Sequence, residues 1–120
     1  MVCSELPMLE RYADSLMHLE SLYLKGCDLK ELPQGIENIK SLVLLNVQDN
    51  QLSDLPEEMQ HLENLPNLKV VLLRNNKLDQ LPEDVKSLSG VEVLELSGNN
   101  FSIEEQERIK TALSGVKVIF

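Results

Sequence analysis

The sequence contains no tryptophan, two phenylalanines and two tyrosines in 120 residues. Its core must therefore be built from aliphatic side chains, chiefly Leu, Val and Ile, without large aromatic plates. Cysteine is equally scarce. Cys3 and Cys27 are too few, and too far apart in sequence, for a disulfide framework or a metal site, and a reducing compartment is expected. Positive charge is in short supply as well: eleven Lys and Arg stand against twenty Asp and Glu, a formal net charge of -9. That balance repels phosphate backbones, which argues against nucleic acid as a partner, and it disfavours an anionic membrane surface. No apolar run approaches the roughly 20 residues of a membrane-spanning helix. The stretch from Met1 to Leu9 lacks a basic segment followed by an apolar one, so no secretory signal is expected.

Catalytic and metal-binding patterns are missing too. The only histidines, His18 and His61, lie two repeats apart on segments outside the predicted strands, which argues against a shared metal or a catalytic pair. No glycine-rich phosphate loop, nucleophile elbow or paired-cysteine motif is present. The many carboxylates follow surface positions, as a solvated acidic face does. Asn100-Phe101-Ser102 fits a glycosylation sequon, which has no meaning without export. No enzyme, cofactor or metal site is expected.

What is abundant is leucine at a fixed period. Leu19, Leu42, Leu68 and Val91 each open a similar segment, at separations of 23, 26 and 23 residues. From each opener runs apolar-x-x-apolar-x-apolar-x-x-(Asn or Cys)-x-apolar. The segments are Leu19, Leu22, Leu24, Cys27, Leu29; Leu42, Leu45, Val47, Asn50, Leu52; Leu68, Val71, Leu73, Asn76, Leu78; and Val91, Leu94, Leu96, Asn99, Phe101. The first three continue into Leu32-Pro33, Leu55-Pro56 and Leu81-Pro82. Apolar-x-apolar alternation such as Leu22-Tyr23-Leu24 predicts a short strand with one face buried. Proline after leucine fixes φ near -65° and starts the return path.

This pattern resembles the leucine-rich-repeat family over residues 19–101. The resemblance implies an α/β solenoid. A curved parallel sheet lines its concave face, short helices or 3-10 turns line the convex face, and helical caps close both ends. One domain, 1–120, then divides into an N-terminal cap (1–18), four repeats (19–101) and a C-terminal cap (102–120). The three extra residues around Glu63-Asn64-Leu65-Pro66 are expected on the convex side. The Asn column should bond to backbone groups that lose their sheet partners where each strand ends. Cys27, at that column's first position, reads as structural, because the family commonly takes Cys there.

At the C-terminal end, Ser102 and Glu105 have capping-box spacing. A helix follows, with Ile109, Leu113, Ala112 and Ile103 on its buried face. Ser114-Gly115 ends it, and Val116 to Phe120 reads as a last strand. At the other end Leu9, Tyr12, Leu16 and Leu19 have helical spacing, which predicts a capping helix over residues 7–17.

Side chains between the fixed apolar positions point out of the concave face. Register alone predicts three columns: Ser21, Leu44, Val70, Val93; Tyr23, Asn46, Leu72, Glu95; and Lys25, Gln48, Arg74, Ser97. Gly26, Asp49, Asn75 and Gly98 lie just beyond. An apolar patch of Leu44, Val70, Leu72 and Val93, rimmed by Tyr23, Asn46, Gln48 and Arg74, suits a partner peptide or helix. The candidate binding residues are Tyr23, Lys25, Leu44, Asn46, Gln48, Val70, Leu72, Arg74, Val93 and Glu95.

The function expected is an interaction module, adaptor or scaffold, cytoplasmic and monomeric, that binds a protein or peptide. One alternative is a substrate-recognition or regulatory subunit of an enzyme complex, such as a ubiquitin ligase or phosphatase, or a secreted bacterial effector. Another is a structural or oligomeric role through the last strand edge.

Overall fold

A computed structural model of the chain describes residues 18–33, 35–53, 65–81, 88 and 90–120. The capping helix predicted over residues 7–17 lies outside them, as do Glu63 and Asn64 of the insertion at Glu63-Asn64-Leu65-Pro66. Five three-residue strands form one open parallel sheet in sequence order: β1 (Ser21–Tyr23), β2 (Leu44–Asn46), β3 (Val70–Leu72), β4 (Val93–Glu95) and β5 (Lys117–Ile119). Among the described residues, a 3-10 turn at Ile36–Asn38 lies on the return path of the first repeat, and one α-helix, α1 (Ile103–Ala112), stands between β4 and β5.

The alternation in sequence becomes two faces. Leu22, Leu24, Leu45, Val47, Val71, Leu73, Leu94 and Leu96 point inward and are at most 1% exposed. Each such side chain contributes about 1.5–3 kcal/mol by leaving water. A three-residue strand supplies few ladder bonds, so the repeats hold together by continuing to pair beyond the strands. At the position after each strand Leu24, Val47, Leu73 and Leu96 donate N–H to Asn46, Leu72, Glu95 and Ile119 at 2.7–3.0 Å. Two residues on, Gly26, Asp49 and Asn75 donate to Gln48, Arg74 and Ser97. Farther along, Gln51, Lys77 and Asn100 donate back to Leu29, Leu52 and Leu78 at 2.7–2.8 Å.

The Asn column closes the gaps between these ladders. Asn50 Oδ1 accepts from the N–H groups of Cys27 and Leu29, both at 2.9 Å. Its Nδ2 donates to the carbonyls of Leu24, Val47 and Gln48 at 2.9–3.0 Å. Asn76 and Asn99 repeat the scheme: their Oδ1 atoms accept from Leu52 and Leu78, each at 3.0 Å. Each Asn thus reaches back to the repeat before it and inward to its own. Cys27 opens the column, with no earlier repeat behind it among the described residues, so a small side chain suffices there. Cys27 is disulfide-bonded, its partner outside the described residues. This departs from the expectation that cysteines so few and so far apart in sequence form no disulfide framework. Sequence separation does not measure distance in a chain that folds back once per repeat.

α1 covers the end of the core. Ile109 and Leu113 are 0% and 2% exposed, and Phe101 meets Phe120 edge to face at 5.8 Å. Ile103, predicted on the buried face, is 71% exposed. It lies six positions before Ile109, roughly 240° around the axis, and the inward position one turn before Ile109 belongs to Glu105 instead. The capping box is only half made. Ser102 Oγ accepts from the Glu105 N–H at 3.1 Å, but the Glu105 carboxylate turns away and accepts the Leu81 N–H at 2.8 Å. Arg108 clamps Glu105 at 2.7 Å and donates to the Leu81 carbonyl at 2.8 Å. Together the pair satisfies both backbone groups of Leu81.

Hydrogen bonding from Arg108 holds the Glu105 carboxyl below its ordinary 4.5, helped by the Leu81 N–H and by Arg108's charge, while burial pushes the other way. A carboxyl with a lowered folded-state pKa contributes stability above the ordinary value and loses it as pH falls through the lowered one. Below about pH 4.5 the chain is therefore expected to lose stability partly through this group. Glu105→Gln should cost about 1 kcal/mol at neutral pH, discounted for the half-open position of Arg108. It should also flatten the acid limb of a denaturation series. An unchanged acid limb would show that the clamp is not the group titrating.

Candidate functional site

The open face of the sheet carries the predicted columns in the predicted register. Ser21, Leu44, Val70 and Val93 stand side by side across β1 to β4, as do Tyr23, Asn46, Leu72 and Glu95. The ladder bonds of Leu73 and Asn75 continue the alternation, so Arg74 faces outward with Leu72, and Lys25, Gln48 and Ser97 occupy the equivalent places. All ten candidate binding residues therefore lie on one surface.

Its chemistry is uneven. Leu44, Val70, Val93 and Leu72 are half-buried, packed side by side with their outer surfaces open. Tyr23, at the sheet edge, is 58% exposed. Two polar side chains of the second column fold back on their own backbone. Asn46 Oδ1 accepts the Gln48 N–H and Glu95 Oε1 accepts the Ser97 N–H, each at 3.0 Å, and the Ser97 hydroxyl also donates to Glu95 Oε1. These bonds fix both side chains before any partner arrives. Their cost in side-chain entropy is met in the free protein. Lys25 is drawn toward Asp49, Nζ to Oδ2 3.7 Å, with both side chains largely in water.

β5 was legible as a strand, but its place in the columns was not read from the sequence. Lys117 pairs in register with Val93, and Ile119 with Glu95. They extend the face by one strand, adding a cation to the first column and an apolar group to the second. Their signal was the alternation Lys117-Val118-Ile119, which continues the repeat's own pattern without its Asn.

The residues just past the columns share a backbone state. Gly26, Asp49, Asn75 and Gly98 all have φ between 57° and 72°. The chain turns there through the left-handed region, which explains why the position holds only Gly, Asn and Asp. Asn75 Nδ2 donates to Asp49 Oδ1 at 2.8 Å, so this rim is joined across repeats. A shallow depression lined by Glu104, Glu107, Arg108, Thr111 and Ala112 belongs to α1 alone and brings together none of the column residues.

Comparison with known proteins gives the same architecture. The Leucine Rich Repeat family model matches residues 18–39. An LRR protein of Leptospira interrogans is similar over 85% of this chain and 25% of its own, with 33% identity and a TM-score of 0.75. Internalin C2 of Listeria monocytogenes is similar over 98% of this chain and 52% of its own, with 19% identity and a TM-score of 0.65. A chain of the Drosophila melanogaster SNF/U2A′ complex is similar over 88% of this chain and 65% of its own, with 20% identity and a TM-score of 0.63. This chain thus spans a quarter of the Leptospira protein and about half of the internalin. No curated protein matches it in sequence.

Proposed function

We propose that this chain, which is a leucine-rich-repeat protein, binds a partner protein or peptide across the open face of its sheet and carries out no chemistry of its own. The observation that carries this is the face itself: a half-buried apolar patch beside a 58% exposed Tyr23, on the one sheet surface that the chain's own core does not use. An exposed tyrosine beside apolar side chains, with Arg74 at the rim, is the composition that binding hot spots favour. One fold neighbour comes from a protein complex, which supports reading the scaffold as one that binds protein.

The test replaces Leu72 with a photo-crosslinking amino acid in the chain expressed in its own cells, and places the same probe at Thr111 on α1 as a control. A discrete adduct is expected from position 72 and not from 111. Binding of the captured partner should then fall about tenfold or more with Leu72→Glu, and by a smaller factor with Tyr23→Ala. Adducts from 111 alone would move the site to the helix.

A further inference from the structure

Three charged side chains on the open face run diagonally across it. Arg74 stands on the extension of β3, Glu95 on β4 and Lys117 on β5, each displaced one strand and one column from the last. With strands about 4.8 Å apart and alternate residues about 6.6 Å apart, neighbours on this diagonal are separated by about 8 Å between Cα atoms. The order of charge is positive, negative, positive. Among the described residues none of the three is in an ion pair, whereas Lys25 is drawn to Asp49 and Arg108 to Glu105. Glu95 is turned by its bond to the Ser97 N–H, so one oxygen is held and the other remains to accept. The apolar group of Val70, Leu72 and Val93 lies directly beside the diagonal.

We propose that this diagonal is a charge ruler for the partner. The occupant is a peptide segment with an apolar side that covers Val70, Leu72 and Val93. Along one flank it carries an acid, a base and an acid, set against Arg74, Glu95 and Lys117. This rests on the proposed use of the open face and adds to it the chemistry of what binds. Exposed charges contribute little affinity singly, but like charges placed opposite one another penalise a wrong sequence or a reversed orientation. The apolar patch supplies attraction without direction, and the ruler sets register and polarity.

The experiment selects random short displayed peptides on the full chain and, separately, on Glu95→Lys, keeping only clones that lose binding to Leu72→Glu or Tyr23→Ala. Peptides from the wild-type chain are expected to carry a Lys or Arg flanked by acids beside an apolar pair. Those from Glu95→Lys should carry an acid at the central place. A single wild-type peptide should weaken about tenfold against Glu95→Lys and recover when its own basic residue is reversed. Glu95→Gln, which keeps an acceptor for the Ser97 N–H, should weaken the wild-type peptide by a smaller factor and remove the preference for a central base, with less risk to folding. If face-dependent peptides keep one charge order on both proteins, the ruler is overturned and binding at the face stands. If no enriched peptide depends on Leu72 or Tyr23, both fail.

Discussion

Asn50→Ala is expected to lower stability by about 3–5 kcal/mol, more than the same change at Asn76 or Asn99. The reason lies in how the carboxamides share their partners. Asn50 alone accepts from two backbone N–H groups, those of Cys27 and Leu29, and it also donates to the Leu24 carbonyl. Asn76 accepts from one, Leu52. Its carbonyl partners are doubly served: Val47 also receives Asn50, and Leu73 also receives Asn99. Deleting Asn76 therefore orphans one buried N–H, while deleting Asn50 strands three groups. At about 1–3 kcal/mol for each buried group left unsatisfied, the difference is measurable.

Against a total stability of about 5–15 kcal/mol, the Asn50 loss is large and should appear as a fall in Tm of roughly 10–20 °C. Asn50→Asp is expected to be no milder. It keeps an oxygen for the two N–H groups but turns a second one toward the carbonyls of Leu24, Val47 and Gln48, where a donor is required. Chemical denaturation of Asn50→Ala, Asn76→Ala and Asn99→Ala under one set of conditions gives the ranking. A loss under about 1 kcal/mol at Asn50 would mean that water replaces the carboxamide, and the column would then be a consequence of the fold and not a cause.

The columns were legible before any coordinates because period two in the strands and a fixed period between repeats leave one register. Leu44, Val70 and Val93 could fall nowhere but side by side. The Asn column was legible for the same reason, and its partners followed from counting unsatisfied backbone groups. What could not be read was which side chains turn back on the chain. Asn46 and Glu95 bond to the N–H two residues on, while Gln48 and Arg74 do not, and nothing in the spacing separates them. The Glu105 side chain was misread for a related reason. The capping-box spacing describes one helix in isolation, but Leu81 of the neighbouring turn offers a donor that the local pattern does not contain. The exposed Ile103 follows from the same choice, because the inward place on α1 is given to the clamp. The diagonal of charge depended on the register of β5, which lacks the Asn that marks the other repeats.

Gly98→Ala is expected to cost about 2–3 kcal/mol, whereas Gly26→Ala, at the equivalent place in the first repeat, should cost about 1. Both glycines are left-handed, with φ of 72° and 67°, so both substitutions carry the same backbone penalty. They differ in what a side chain would meet. At Gly26 an added Cβ has nothing within 4 Å, while at Gly98 it would collide with Asn75 Oδ1 and lie 3.1 Å from the Asn75 backbone nitrogen. Asn75 is not free to withdraw cheaply, since its Nδ2 is bonded to Asp49, which also attracts Lys25. Moving it loosens the rim that joins three successive repeats. A double-mutant cycle isolates this part. Asn75→Gly keeps the left-handed turn and removes the obstructing oxygen, so Gly98→Ala in that background should fall most of the way to the Gly26→Ala value. The backbone contact keeps a remainder. Equal costs at Gly26 and Gly98 in the wild-type background would show that the Asn75 side chain yields without loss, and that the polar rim contributes nothing to holding the repeats in register.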